Sequence, residues 1–275
     1  MLRILSDLHL HDASCPIRKV EDLSPLLHDV DELWICGDSC DNQSGIDPDA
    51  VAAMRSFFED RVATVRFITG NHDPDISTTH ELQTAEGRLW AVHGDVFLDD
   101  IVPWSRARDQ LVARLGRVRQ AHPELDFNHL PDRLRLMRLA CTGFHREFDP
   151  QRTDILYKTW RLMLEFFPPR QAWAMFRTWR TFADQAIARA DQWRPHAQII
   201  VTGHVHFPRV WQRGHRHVIN CGAFPGPLGA FAVDLVDDVV TVHRITSRGD
   251  NWYPDRTVAT IPLAAPHSDR LTTEA

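Results

Sequence analysis

The chain of 275 residues is 43% hydrophobic and 25% charged, which excludes disordered and fibrous classes and allows a full core or a domain carrying an insertion. Net charge is −6, but residues 104–194 hold 17 Lys+Arg against 10 Asp+Glu, a surplus too modest beside an acidic remainder to point to nucleic acid. Cys15, Cys36, Cys40, Cys141 and Cys221 are odd in number without a CxxC pair, against both a disulfide framework and a thiolate metal site. No apolar run approaches the roughly 18 residues of a membrane span. The opening MLRILSDLHL reads as a strand, not a signal peptide, so a cytoplasmic location is expected.

Along the first hundred residues, β-rich runs alternate with polar or helix-like stretches: RILSDLHL, ELWICGD, TVRFITGNHD and RLWAVHGD. Each ends in Asp, His or Asn, and residues just past strand ends converge in the ligand crevice of α/β sheets. From Trp104 to about Arg194 the period becomes helical. Trp160, Met163, Leu164 and Phe167 share one face, and Trp173, Phe176 and Ile187 lie on another helix. After Pro195 strands return in QIIVTGHVH, PRVWQR, HRHVINCG, GAFAVDLV and DVVTVHRI. The expected organisation is a catalytic domain over 1–103 and 196–250, an inserted helical cap over 104–195, and an irregular tail over 251–275.

Five motifs occur in order: Asp7-x-His9, Gly37-Asp38-x-x-Asp41, Gly70-Asn71-His72-Asp73, His93-Gly94-Asp95 and Gly203-His204-Val205-His206. Each alone is weak; the ordered set at strand ends is not. Imidazole, carboxylate and amide donors without thiolate suit Mn²⁺, Fe²⁺ or Zn²⁺. Residues two apart in a strand share a face, so Asp7 and His9 can grip one ion, and His204 and His206 can reach one site. The four glycines allow sharp turns. Eleven other histidines fit no motif and read as surface or core residues. Asp41 and Asp95 read equally well as direct participants or as supports for ligands, and Asn220 and Gly222 as turn residues.

This pattern resembles the calcineurin-like metallophosphoesterase superfamily over roughly residues 1–100 and 196–245. The resemblance implies a two-sheet α/β sandwich flanked by helices and leaves the helical block, read from its periodicity and position as an inserted cap, unexplained. It implies two divalent cations, Mn²⁺ first with Fe²⁺ or Zn²⁺ as alternatives. One would take Asp7, His9 and His206, the other Asn71, His93 and His204, with Asp38 bridging. The implied chemistry is in-line hydrolysis of a phosphate mono- or diester or a pyrophosphate, two cations making water acidic enough to attack. His72 would protonate the leaving oxygen while Asp73 holds its tautomer.

Phosphoprotein phosphatases of this superfamily read GDxxDRG and GNHE, unlike Gly37–Asn42 and Gly70–Asp73 here. The HGD segment with FLDD, an Arg-bearing helical stretch and GHVHFP resemble the UDP-2,3-diacylglucosamine hydrolase branch, although His72 stands where that branch has Arg. Residues 104–194 also hold five of nine Trp and 16 Arg. Such a mixture can grip a phosphorylated lipid or nucleotide-linked substrate, or rest on the inner face of a membrane. Alternative readings are a nuclease or cyclic-nucleotide phosphodiesterase using the same metals, and a non-catalytic scaffold that keeps metals for structure.

Overall fold

The computed structural model describes residues 1–12, 14–41, 48–144 and 169–265; Trp160, Met163, Leu164 and Phe167 fall outside them. The first sheet has the strand order β11-β10-β9-β1-β2-β3. It contains β1 (Leu2–Leu5), β2 (Glu32–Cys36), β3 (Thr64–Ile68), β9 (Phe231–Val236), β10 (Val239–Arg248) and β11 (Asn251–Pro262). The second runs β4-β5-β6-β8-β7. Its strands are β4 (Glu81–Thr84), β5 (Leu89–Val92), β6 (Ile199–Thr202), β7 (Arg209–Arg213) and β8 (Arg216–Asn220). Both sheets are mixed: β1, β2 and β3 are parallel, as are β5, β6 and β8, with antiparallel strands outside them.

Alternating side chains divide the interior into layers. Ile4, Trp34, Ile68, Leu89, Ile199 and Val201 fill the space between the sheets. Their neighbours Leu5, Leu33, Ile35 and Phe67 point outward against α1 (Pro48–Glu59), through Met54, Phe57 and Phe58, and against the 3₁₀ segment Val20–Leu27. On the far side Trp90, Val92, Ile200 and Val218 meet α2 (Arg108–Ala121), α3 (Leu130–Cys141) and α4 (Pro169–Trp193). Strands covered on both faces need continuous apolar runs, which explains LWIC and IIVT. Fully burying each such side chain stabilises the fold by roughly 1.5–3 kcal/mol relative to exposure.

Among the described residues, α2, α3 and α4 stand between β5 and β6 and share one core with the second sheet, forming an outer layer of the sandwich. On α3, Leu130, Leu134, Met137 and Cys141 recur at helical spacing, with Pro131 in the first turn where its missing N–H costs nothing. On α4, Phe182, Ala186, Ala190 and Trp193 form the buried stripe. Trp173 and Phe176 face solvent at 67% and 46% exposure, whereas Ile187 packs on the core.

Two strands escaped the sequence pattern. Residues 251–262, expected as an irregular tail, form β11, paired antiparallel to β10 across the Gly249-Asp250 turn. This edge strand is largely exposed and carries Pro254, Asp255 and Arg256, so it lacks apolar alternation. β4, with the sequence ELQT, is a short edge strand of the same polar kind.

Candidate metal centre

The C-terminal ends of β1, β2, β3, β5 and β6 point to a common edge, and each motif occupies the turn that follows. Backbone bonds stitch these turns together: Asp7 N–H donates to Gly37 O at 3.1 Å, His9 N–H to Asp38 O at 3.0 Å, and Gly203 N–H to His93 O at 3.0 Å. His204 N–H donates to Asp7 Oδ1 at 3.0 Å, joining the two sheets.

The side chains do not project from strands, as the two-residue spacing suggested. Asp7, His9, Asp38, His204 and His206 all have left-handed backbones, with φ of 51°, 48°, 50°, 74° and 50°. Each such non-glycine residue costs of order 1–3 kcal/mol and persists where the surroundings over-determine it, commonly at functional sites. Two glycines make room. A β-carbon on Gly37 would run into the His93 ring, and one on Gly203 would overlap Asp7 Oδ2 and Ser6 Oγ.

The seven residues proposed as ligands converge. Asp7, His9, Asp38 and His206 place one donor each within 4.8 Å of one another, as do Asp38, His93 and His204. His206 and His204 therefore divide between the two groups, and Asp38 belongs to both. Asn71 joins the second group, its Oδ1 3.2 Å from His93 Nε2, which is also 3.2 Å from Asp38 Oδ2. In the first group His206 Nε2 lies 3.1 Å from Asp7 Oδ1 and 3.0 Å from His9 Nε2. All are buried except His206, whose side chain is 42% exposed and opens the site to solvent.

The donor set fits divalent cations. Asp7 and Asp38 are at most 1% exposed, yet among the described residues their ion partners are imidazoles, with no Lys or Arg. Buried carboxylates need opposite charge, which bound cations supply. Imidazole nitrogens 3.0 Å apart must share a proton or direct lone pairs at a common ion. Each ring of the second group is also oriented from behind: His93 Nδ1 faces Cys36 O at 3.0 Å, and His204 Nε2 faces Ile101 O at 2.7 Å. Such partners fix ring orientation and tautomer in metal sites.

Without cations, protons take their place. Burial opposes charging His9 and His93, but the carboxylates of Asp7 and Asp38 overcome it and lift the imidazoles to about 9 and about 10. Burial and the neighbouring His93 charge push His204 down to about 4. Asp38 is held well below the usual carboxylate range because the surrounding imidazoles outweigh burial.

Asp73 plays a different part from the one expected. It accepts from the backbone N–H of Asp38 at 3.0 Å, Ser39 at 2.7 Å and Gly70 at 2.8 Å, and from the Ser39 hydroxyl. It ties two motif turns together and does not hold the His72 tautomer. Asp41 faces that ring, its Oδ1 3.4 Å from His72 Nδ1. His72 stacks edge-on against His9 at 4.8 Å and is 5% exposed, beside the first group. Asp95 is bound by both arms of Arg138 from α3, at 2.7 and 2.8 Å. Burial alone would raise its carboxyl, but the guanidinium and His93 bring it down to about 2. Asn220 donates to Gly203 O and accepts from Gly222 N–H, so it shapes the GHVH turn.

Trp104 and Trp179, marked in the sequence only as two of the five Trp of residues 104–194, lie beside these turns: the Trp104 ring is 5.3 Å from that of His204, and Trp179 of α4 donates to Val205 O at 2.9 Å and stacks on Phe207 at 4.7 Å. Neither belongs to a motif; α4 carries Trp179, and the turn segment before α2 carries Trp104.

Among solved structures the chain is similar to a conserved protein of Streptococcus pneumoniae TIGR4 described as a predicted phosphoesterase, at 17% identity and TM-score 0.42, covering 94% of this chain and 97% of that one. Vps29 of Chaetomium thermophilum matches at 9% identity and TM-score 0.47, covering 96% and 97%. A dimetal phosphatase of Danio rerio matches at 13% identity and TM-score 0.42, covering 96% and 98%. No protein with a curated description matches the chain. The model of the calcineurin-like phosphoesterase family matches residues 2–208, which include all five motifs, and the chain belongs to that family.

Proposed function

We propose that the chain is a dinuclear metal-dependent hydrolase of phosphate esters or pyrophosphates. The observation that carries this reading is the pair of buried carboxylates, Asp7 and Asp38, ringed by four imidazoles and one amide with no Lys or Arg counter-ion among the described residues. Asp7, His9, Asp38 and His206 would hold one cation, and Asp38, Asn71, His93 and His204 the other, with Mn²⁺ the first candidate. Bound cations would supply Lewis acidity toward phosphate oxygens and a water of lowered pKa. The remaining work falls to the chain's own groups. His72, with Nδ1 held beside Asp41, would present Nε2–H to the leaving oxygen and donate the proton there. Asp73 would keep the turns carrying Asp38 and Asn71 in register.

For substrate we propose a phosphorylated lipid or a nucleotide-linked lipid of the kind handled by the UDP-2,3-diacylglucosamine hydrolase branch. Support comes from α4, whose solvent face presents Trp173 and Phe176 among Arg170, Arg177 and Arg180, an apolar and cationic surface suited to an anionic amphiphile. On this reading residues 104–195 act as a substrate-gripping cap that also rests on anionic lipid. No helix among the described residues is long and apolar enough to cross a membrane.

Metal analysis combined with hydrolysis of a nitrophenyl phosphate monoester and diester in Mn²⁺ tests the reaction class. Two bound metals without turnover on either ester, or on a wider panel including UDP-diacylglucosamine and nucleotide pyrophosphates, would refute it. Salt-sensitive binding and cleavage of DNA would favour a nuclease instead.

A further inference from the structure

FLDD, Phe97 to Asp100, lies outside the five motifs, and the residue that follows it is unusual. Ile101 is β-branched, fully buried, and left-handed at φ 59°. A β-branched side chain at positive φ clashes with its own backbone, so such a residue is a genuine outlier that surrounding contacts must enforce. Its carbonyl is the acceptor, at 2.7 Å, for His204 Nε2.

The enforcing contacts come from α2, α3 and α4, one arginine from each. Arg108, the first residue of α2, reaches Asp100 Oδ2 with two nitrogens at 2.9 and 2.7 Å. Arg133 of α3 is fully buried and donates to Val96 O, Leu98 O and Asp99 Oδ1 at 2.8, 3.0 and 2.9 Å. Arg189 of α4 reaches the same Asp99 oxygen at 3.2 Å. Val102 N–H closes the turn on Asp100 O at 2.6 Å.

We propose that Asp99-Asp100-Ile101 is a positioning element that couples docking of α2, α3 and α4 to metal affinity at the second group. The Ile101 carbonyl keeps a proton on His204 Nε2, which leaves the Nδ1 lone pair for the cation. Displacing the helices would release the strained turn, withdraw that carbonyl, and let the imidazole rotate or change tautomer. The inference rests on the dinuclear reading above and adds that the helical layer acts on the metal site, whatever it does with substrate.

Two measurements test it. Long-range ¹H–¹⁵N spectra of metal-free protein labelled at histidine report the His204 tautomer, with the proton expected on Nε2; a proton on Nδ1 overturns the proposal. In calorimetric titrations with Mn²⁺, Val102→Pro drives residue 101 toward extended backbone and removes the N–H that closes the turn. One of the two binding events, that of the second group, is expected to weaken by about 10- to 100-fold while the other persists. Two unchanged events overturn the proposal. Should Val102→Pro fail to fold, Asp99→Ala/Asp100→Ala loosens the turn through partly exposed carboxylates and must weaken the same event selectively; equal affinities for both events in variant and parent refute the coupling. A parent that binds no metal would refute the dinuclear reading, while the tautomer measurement still decides the role of Ile101.

Discussion

Replacing Arg138 with Met leaves Asp95 in the interior without its partner. Both side chains are at most 5% exposed and the pair is bidentate, so solvent screening is slight. Removing one partner of such a buried pair costs about 3–5 kcal/mol, because the surviving charge stays desolvated. The sign of the pH dependence follows from Asp95 itself. In the parent its folded pKa is about 2, below the unfolded value near 4, so it contributes stability that is fully present above about pH 4 and lost as pH falls toward 2. A shift of that size corresponds to roughly 2–3 kcal/mol. In Arg138→Met burial dominates and the folded pKa rises above the unfolded one, so the variant is penalised at neutral pH and relieved as Asp95 takes up a proton. Urea denaturation of parent and variant at about pH 7 and about pH 4.5 should show a gap of about 3–5 kcal/mol that narrows on acidification. Asp95→Asn/Arg138→Met should recover much of the loss at neutral pH. A cost below about 1 kcal/mol, or a gap independent of pH, would show that the pair behaves as an exposed one and refute the reasoning.

His72→Ala should retain both metals by elemental analysis and lower turnover by about 10²- to 10⁴-fold, most on esters with poor leaving groups. Equal loss on good and poor leaving groups would deny it a proton-transfer role. Asp73→Ala strands three buried N–H groups, so thermal and urea denaturation should reveal a loss of roughly 3 kcal/mol or more, unlike His72→Ala. Because His9 and His93 are lifted to about 9 and about 10, both stay protonated near neutrality in the metal-free protein. Mn²⁺ binding should therefore release on the order of two protons and strengthen as pH rises, visible by calorimetry in buffers of different ionisation enthalpy. Buffer-independent heats would contradict this.

The residues that converge at the strand ends were legible because each motif couples a hydrophobic run, which forms a strand, to a polar residue at its end. Roles that depend on direction were not. The pair Asp41 and Asp73 shows why: both are aspartates near His72 in sequence or motif, but only the path of the turn after β2 decides which carboxylate meets the imidazole and which meets backbone N–H groups. The split of His204 and His206 between two groups likewise depends on their left-handed backbones, which side-chain spacing in an extended strand does not anticipate.

By itself the sequence determined the strand runs, the helical block, and the ordered His, Asp and Asn donors, since periodicity and donor chemistry are local properties. The tertiary structure decided what depends on distant segments meeting. It placed β11 at a sheet edge by pairing it with β10, although its own side chains bury little. It packed α2, α3 and α4 on the second sheet and set Asp99 and Asp100 against their arginines, next to the Ile101 carbonyl that meets His204. The bond from His204 to Ile101 spans 103 residues, and no local pattern encodes a contact of that kind.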